Sequence, residues 1–114
     1  MNNKKLYLDD LRNPVDSSLY MGNVEIYKED WEVVRNYKEF VEYIENNGVP
    51  DIVSFDHDLA EEKTGADCAK WLGEYLIENG IPIPKYYIHS MNPVGAINIR
   101  SIMKTCEKVM KKGN

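Results

Sequence analysis

The feature that most constrains this chain is an alternation. Short runs of apolar, β-branched and aromatic residues stop abruptly at acidic or histidine-bearing tails, and each later run is followed by residues spaced as on one face of a helix. Lys4 to Leu8 is the first such run and ends at Asp9-Asp10. Trp31 to Arg35 reads as a second strand. Asn36 then caps a helix carrying Tyr37, Phe40, Val41 and Ile44 inward, with Glu39 placed to close a capping box and Asn46-Asn47-Gly48 ending it. After Val49-Pro50, Asp51 to Phe55 has the content of a central strand and runs straight into Asp56-His57-Asp58. Thr64 caps the next helix, whose inward stripe is Cys68, Ala69, Leu72, Tyr75 and Leu76 and which Gly80 terminates. Lys85 to Ile88 is a last strand ending at His89-Ser90. Asn92-Pro93 opens a helix with Ile99, Ile102, Met103, Cys106, Val109 and Met110 on one face.

This order predicts an α/β fold: an open parallel sheet of about four strands joined by crossovers and flanked by helices, with no clear fifth strand. The stretch from Asn13 to Asp30 has no helical stripe, so a long loop stands in for the first crossover helix, and Val24-Glu25-Ile26 is a candidate short edge strand. Such a loop serves either as a lid or as a cover for the sheet face that a missing helix would bury.

With 114 residues, the chain has room for a single domain. A net charge of -5 argues against non-specific binding to a nucleic-acid duplex, which relies on a basic surface, and a small nucleotide or a cation fits better. No apolar stretch is long enough to cross a bilayer or to form the apolar segment of a signal peptide, so a cytoplasmic location without membrane contact is expected. Cys68 and Cys106 lack metal-binding spacing and fall on apolar helix faces, as core thiols do.

Chemistry-bearing residues concentrate just past the strand ends: Asp9 and Asp10 after the first, Asp56, His57 and Asp58 after the third, and His89, Ser90 and Asn92 after the last. In an open parallel sheet these positions lie along one edge, where ligands bind. Several carboxylates there cannot all stay ionised without a cation, so Asp9, Asp10, Asp56 and Asp58 are candidate ligands for Mg²⁺ or Mn²⁺, with Zn²⁺ possible given the histidines. Asp10 and Asp58 have the alternative of capping loops or pairing with Arg12 and Lys63. His57 and His89, with Asp56, are the catalytic candidates: two histidines facing one pocket can act as general acid and base, or they can ligate a metal or bond backbone. Arg12, Ser90 and Asn92 are candidate phosphate contacts, although Arg12 can instead neutralise Asp10 and Asn92 can cap its helix. That helix offers free N–H groups to an anion, and its basic stripe Arg100, Lys104, Lys108 and Lys111 is more often a solvated face than a guide for an oligonucleotide.

Leu8-Asp9-Asp10-Leu11-Arg12, Ser54-Phe55-Asp56-His57-Asp58-Leu59 and His89-Ser90-Met91-Asn92-Pro93 together resemble the cyclic-phosphate-processing receiver domain family of bacteria and phages, over nearly the whole chain. The resemblance implies a receiver-like, flavodoxin-like sheet and an enzyme acting on a cyclic phosphate, at an RNA end or in a cyclic nucleotide. It assigns the site to Asp9, Asp10, Asp56, His57, Asp58, His89, Ser90 and Asn92. An ordinary receiver also ends a fifth strand in a lysine that has no counterpart here, which speaks against phosphorelay signalling. The expectation is a metal-assisted cyclic phosphodiesterase in which one histidine takes a proton and the other returns one. Two alternatives remain: a module that sequesters a cyclic nucleotide, and a pseudo-receiver acting through protein contacts.

Overall fold

The structure, a computed structural model, describes residues 4–19 and 25–112. Four strands, β1 (Lys5–Leu8), β2 (Glu32–Val34), β3 (Ile52–Phe55) and β4 (Lys85–Ile88), form one parallel sheet in the order β2-β1-β3-β4. The helices are α1 (Pro14–Ser17), α2 (Tyr37–Asn47), α3 (Gly65–Asn79) and α4 (Pro93–Lys112). The chain leaves β1 towards one side to make β2, then returns to place β3 on the other side of β1. The reversal of strand order therefore falls between β1 and β3, where a crevice opens beyond their carboxyl ends.

Strand alternation divides the side chains between two faces. Leu6, Leu8, Val53 and Phe55 point to one face, fully buried in a cluster with Phe40 and Ile44 of α2, Cys68, Leu72 and Leu76 of α3, and Ile99 and Met103 of α4. The opposite face presents Tyr7 and Ser54, with His89 just past β4, and all three are fully buried as well. Their cover comes from the connection between β1 and β2. Tyr27 donates or accepts at Ser54 Oγ (2.8 Å), Ser17 pairs with the Tyr7 hydroxyl (2.6 Å), and Trp31 stacks on Tyr27 with ring centroids 5.6 Å apart. Each aromatic pair of this kind contributes roughly 0.5–1.5 kcal/mol beyond its area burial. Of the two roles expected for the Asn13–Asp30 stretch, its described part fills the second and buries a sheet face.

That stretch is not wholly loop. Pro14–Ser17 makes one helical turn, and Ile26–Lys28 a 3₁₀ turn. Ile26 is thus not in an edge strand, and Val24 of the same expectation lies outside the described residues. The packing of Tyr27 against Tyr7 and Ser54 overrides the local β-propensity of the isolated segment. Asn36 caps α2 by accepting from the Glu39 amide, but the Glu39 carboxylate reaches one residue further back than a capping box requires, to the Arg35 amide (2.9 Å). Thr64 and Asp67 form the reciprocal box on α3, and Gly80 ends that helix in the left-handed conformation (φ 63) that glycine adopts without steric cost. Both cysteines are buried as expected. Val109, expected inward, is 45% exposed. Among the described residues, no helix is long and apolar enough to cross a membrane.

Candidate functional site

The sheet's own ladder sets the positions of the three principal residues. The Asp9 amide donates to the Val34 carbonyl (3.1 Å), Asp56 to Leu8 (3.0 Å) and His89 to Phe55 (3.0 Å). Each residue is therefore the first past its strand and still tied to the neighbouring strand, so its side chain leaves from a rigid edge.

Asp9 is 2% exposed and fully engaged. Its Oδ1 accepts from the amides of Leu11 (2.9 Å) and Arg12 (2.8 Å), turning the chain sharply, and its Oδ2 faces His89 Nε2 at 3.1 Å. Arg35 braces the same turn from β2, donating to the carbonyls of Asp9 (3.1 Å) and Arg12 (2.6 Å) and to Asn13 Oδ1 (2.6 Å). Burial by itself would raise the Asp9 pKa, but the His89 hydrogen bond and the two amides together hold it below the ordinary value. Burial lowers the pKa of His89 and outweighs the Asp9 contact that would raise it, so the imidazole is neutral. A neutral ring has one N–H and an ionised Asp9 can only accept, which puts the proton on Nε2. His89 Nδ1 then accepts from the Ser54 hydroxyl (2.7 Å), and Ser54 accepts from Tyr27. The result is a buried relay, Tyr27 to Ser54 to His89 to Asp9, with the His89 ring stacked 4.2 Å from that of Tyr7.

Asp56 has the opposite electrostatics. Burial first, then the charges of Asp9, Asp10 and Asp58, push its pKa up to about 7, against one opposing hydrogen bond from the His57 amide (2.8 Å). Asp9, Asp56 and His89 place ligand atoms within 4.8 Å of one another, so this group can hold a metal ion. Its donor chemistry fits one: a bound cation would relieve the like-charge repulsion that otherwise keeps a proton on Asp56.

The cleft beyond these residues encloses about 480 Å³, the size of a small-molecule site. Asp9, Asp10, Asp56 and Asp58 supply its acidic wall, Arg12 and Asn92 its hydrogen-bond donors, and Leu11, Met91 and Pro93 an apolar rim. Six of the expected site residues thus meet here, while His57, His89 and Ser90 stand outside the lining. The expectation of two histidines facing one pocket is corrected accordingly. His89 sits fully buried behind Asp9 because its neighbours Tyr7 and Ser54 face the covered side of the sheet. His57 lies against α4, its Nδ1 3.0 Å from Asp58 Oδ1. Ser90 Oγ accepts the Asn92 amide (3.0 Å) and so shapes the turn. Asn92 serves both expected roles: its Oδ1 accepts from the Gly95 amide (3.0 Å) as a cap, and its Nδ2 approaches Asp58 Oδ2 (3.4 Å). Lys63 lies over the Tyr37 ring, 5.1 Å from its centroid.

Five contributors were not anticipated. Ser54 carried a signal, a polar residue inside a central strand, whereas Tyr27 and Arg35 reach the site only through tertiary contacts. The others are glycines. A Cβ on Gly65 would stand 1.7 Å from the Asp56 carbonyl oxygen, and one on Gly95 would stand 2.3 Å from His57 Cγ, so each glycine lets a helix N-terminus close on the Asp56-His57 segment.

Residues 4–105 match the family described as the cyclic-phosphate processing receiver domain. The chain belongs to that family. Membership ties this receiver domain to cyclic-phosphate processing, in agreement with the resemblance carried by its three strand-end motifs. A solved fusion bearing a trimeric coiled-coil segment of yeast Spc42 is similar in fold, with a TM-score of 0.55 and 20% identity over 90% of this chain, which spans 63% of the length of that one. The BeF3-activated receiver domain of Klebsiella pneumoniae RstA aligns over 90% of this chain and 99% of its own, with 18% identity and a TM-score of 0.44. No curated protein matches the chain.

Proposed function

We propose that this receiver domain is a cation-assisted phosphoesterase that hydrolyses a cyclic phosphate, carried on an RNA end or within a cyclic nucleotide. The observation that supports this most is the pairing of Asp9, ionised and fixed from three sides, with Asp56, held to about 7 in the same crevice. Such a pair is poor at remaining empty and good at holding a cation beside a phosphate.

Asp9 and Asp56, with Asp10 beside them, would hold a divalent ion, which when bound supplies polarisation of the phosphoryl group and a more acidic water. Mg²⁺ or Mn²⁺ suits the site better than Zn²⁺, because the cleft wall is carboxylate and the His89 Nε2 proton is committed to Asp9. Arg12 and the Asn92 amide orient the phosphoryl oxygens. Asp58 lines the cleft with His57 behind it, and this pair moves the proton: water loses one as its oxygen bonds to phosphorus, and the departing ring oxygen gains one as its bond to phosphorus breaks. His89 is a positioning residue that keeps Asp9 ionised and aimed.

A second reading, a module that sequesters a cyclic nucleotide intact, draws support from the position of both histidines outside the cleft lining. Incubation with 2′,3′-cyclic and 3′,5′-cyclic nucleotides and each of the three ions, followed by mass analysis, separates the two. Products heavier by one water support hydrolysis. Quantitative recovery of intact ligand from a complex refutes it.

A further inference from the structure

The charge of this chain is unevenly distributed. Helix α4 carries five of the 14 basic residues and one of the 19 acidic ones, although the chain as a whole is at -5. Arg100, Lys104, Lys108 and Lys111 are all exposed, and among the described residues none of them forms an ion pair. A cationic face left unpaired on an otherwise acidic protein is positioned for an anion from outside.

Its position relative to the cleft specifies that anion. Pro93, Ile97, Arg100, Lys104 and Lys108 follow one another at three- and four-residue intervals, so they form a single stripe along the helix. Pro93, at the head of the stripe, lines the acidic cleft, and Ile97, Arg100, Lys104 and Lys108, further along the same stripe, border a shallow groove of about 330 Å³. From Pro93 to Lys108 the helix rises roughly 22 Å, with the cations about 6 Å apart. That repeat suits the successive phosphates of an extended single strand. Ile97 is 63% exposed and Met91 likewise, so an apolar side chain stands uncovered on the groove and another on the cleft. An unstacked base needs such a surface, and free phosphate does not.

We propose that the basic face of α4 docks a single-stranded oligoribonucleotide and leads its cyclic-phosphate end into the cleft, the penultimate base resting on Ile97 and Met91 and the backbone running along Arg100, Lys104 and Lys108. This rests on the cyclic-phosphate reading above and selects the RNA end over the free cyclic nucleotide as substrate. A duplex does not fit the scheme, since the acidic wall at the head of the stripe repels a second backbone.

The test uses a labelled hexaribonucleotide ending in a 2′,3′-cyclic phosphate and the corresponding mononucleoside 2′,3′-cyclic phosphate. Each is titrated and assayed with wild type and with the triple variant Arg100→Ala, Lys104→Ala, Lys108→Ala, whose fold is checked by circular dichroism. The expected result is tighter binding of the hexamer by wild type and at least a tenfold loss in the variant. The slope of log affinity against log salt should also fall by about 2, since each phosphate contact on a single strand contributes about 0.7, with turnover of the mononucleoside unchanged. Equal affinity of wild type for hexamer and mononucleoside, or hexamer binding that the variant retains, overturns the proposal. So does competition by polyglutamate as effective as that by the hexamer, which assigns the face to an acidic protein. Helix-dependent binding of a hexamer whose ring is never opened refutes the hydrolytic chemistry and leaves the docking in place.

Discussion

Replacing Asp56 with Asn tests the electrostatic core of the site. Asn keeps the oxygen that accepts from the His57 amide and removes the ionisation that burial and three neighbouring carboxylates oppose. Because Asp56 titrates near 7 in the fold and at 3.8 in the unfolded chain, the native state holds a proton between those values that the unfolded state has released. Stability from this group is full below pH 3.8 and is lost as pH rises through about 7. At about 1.4 kcal/mol per pH unit the loss approaches about 4 kcal/mol, a large share of the stability of a small domain. His89 works in the opposite direction in an overlapping window. Neutral in the fold, it costs stability as pH falls below 6.5 and the unfolded imidazole takes up a proton. The wild-type profile alone is therefore flattened, and the informative quantity is the difference between variant and wild type. Urea unfolding in EDTA should show the two nearly equal at pH 4 and the Asn variant more stable by up to about 4 kcal/mol at pH 8. Excess Mg²⁺ should raise the stability of the wild type at pH 8 and much less that of the variant, because a ligand that binds only the native state stabilises it by mass action. A difference that stays constant within about 0.5 kcal/mol from pH 4 to 8 would refute the account of a crowded carboxylate pair.

Four further variants have expected outcomes, three from contacts at the site and one, Gly73→Ala, as a comparison away from it. Gly65→Ala forces a methyl into the Asp56 carbonyl and should cost about 3 kcal/mol or more in chemical unfolding. Gly73→Ala, whose methyl meets Cys106 at an ordinary 3.6 Å within α3, should be neutral or stabilising by about 0.5–1 kcal/mol. Ser54→Ala removes the donor to His89 Nδ1 and frees the ring to change tautomer; divalent-ion affinity measured by calorimetry should fall about 10- to 100-fold with the fold retained. Gly95→Ala displaces the His57 ring and so separates it from Asp58; kcat on a cyclic nucleotide should drop with little change in KM, and the His57 ring resonances should shift.

His89 and Ser54 show how a candidate site can be braced from a sheet face that a connection, rather than a full helix, covers. On this face Tyr27, Trp31 and Ser17 replace the missing cover with aromatic and hydroxyl contacts, and those hydroxyls continue directly into the relay behind Asp9. The cover and the orientation of a cleft carboxylate are thus one network, so damage to the β1–β2 connection should be felt at the cleft.

The sequence by itself determined the strands, the three main helices and the edge of the sheet at which the candidate site residues gather. Period and composition distinguish a buried parallel strand from a helix, and polar residues that end such strands necessarily share an edge, so Asp9, Asp56 and Asn92 could be placed together from local information. The helix caps at Asn36 and Thr64 and the stop at Gly80 were equally local. Tertiary structure decided what each site residue touches. Whether His89 faced solvent or the interior depended on Tyr7 and Ser54, neither near it in sequence, and on a cover formed by Tyr27 from the far side of β1. The same holds for Gly65 and Gly95, since a requirement for no side chain appears only when two backbones or a backbone and a ring approach. Burial and the summed charge of neighbours are likewise properties of three dimensions, and they lower the pKa of Asp9 while pushing that of Asp56 up to about 7.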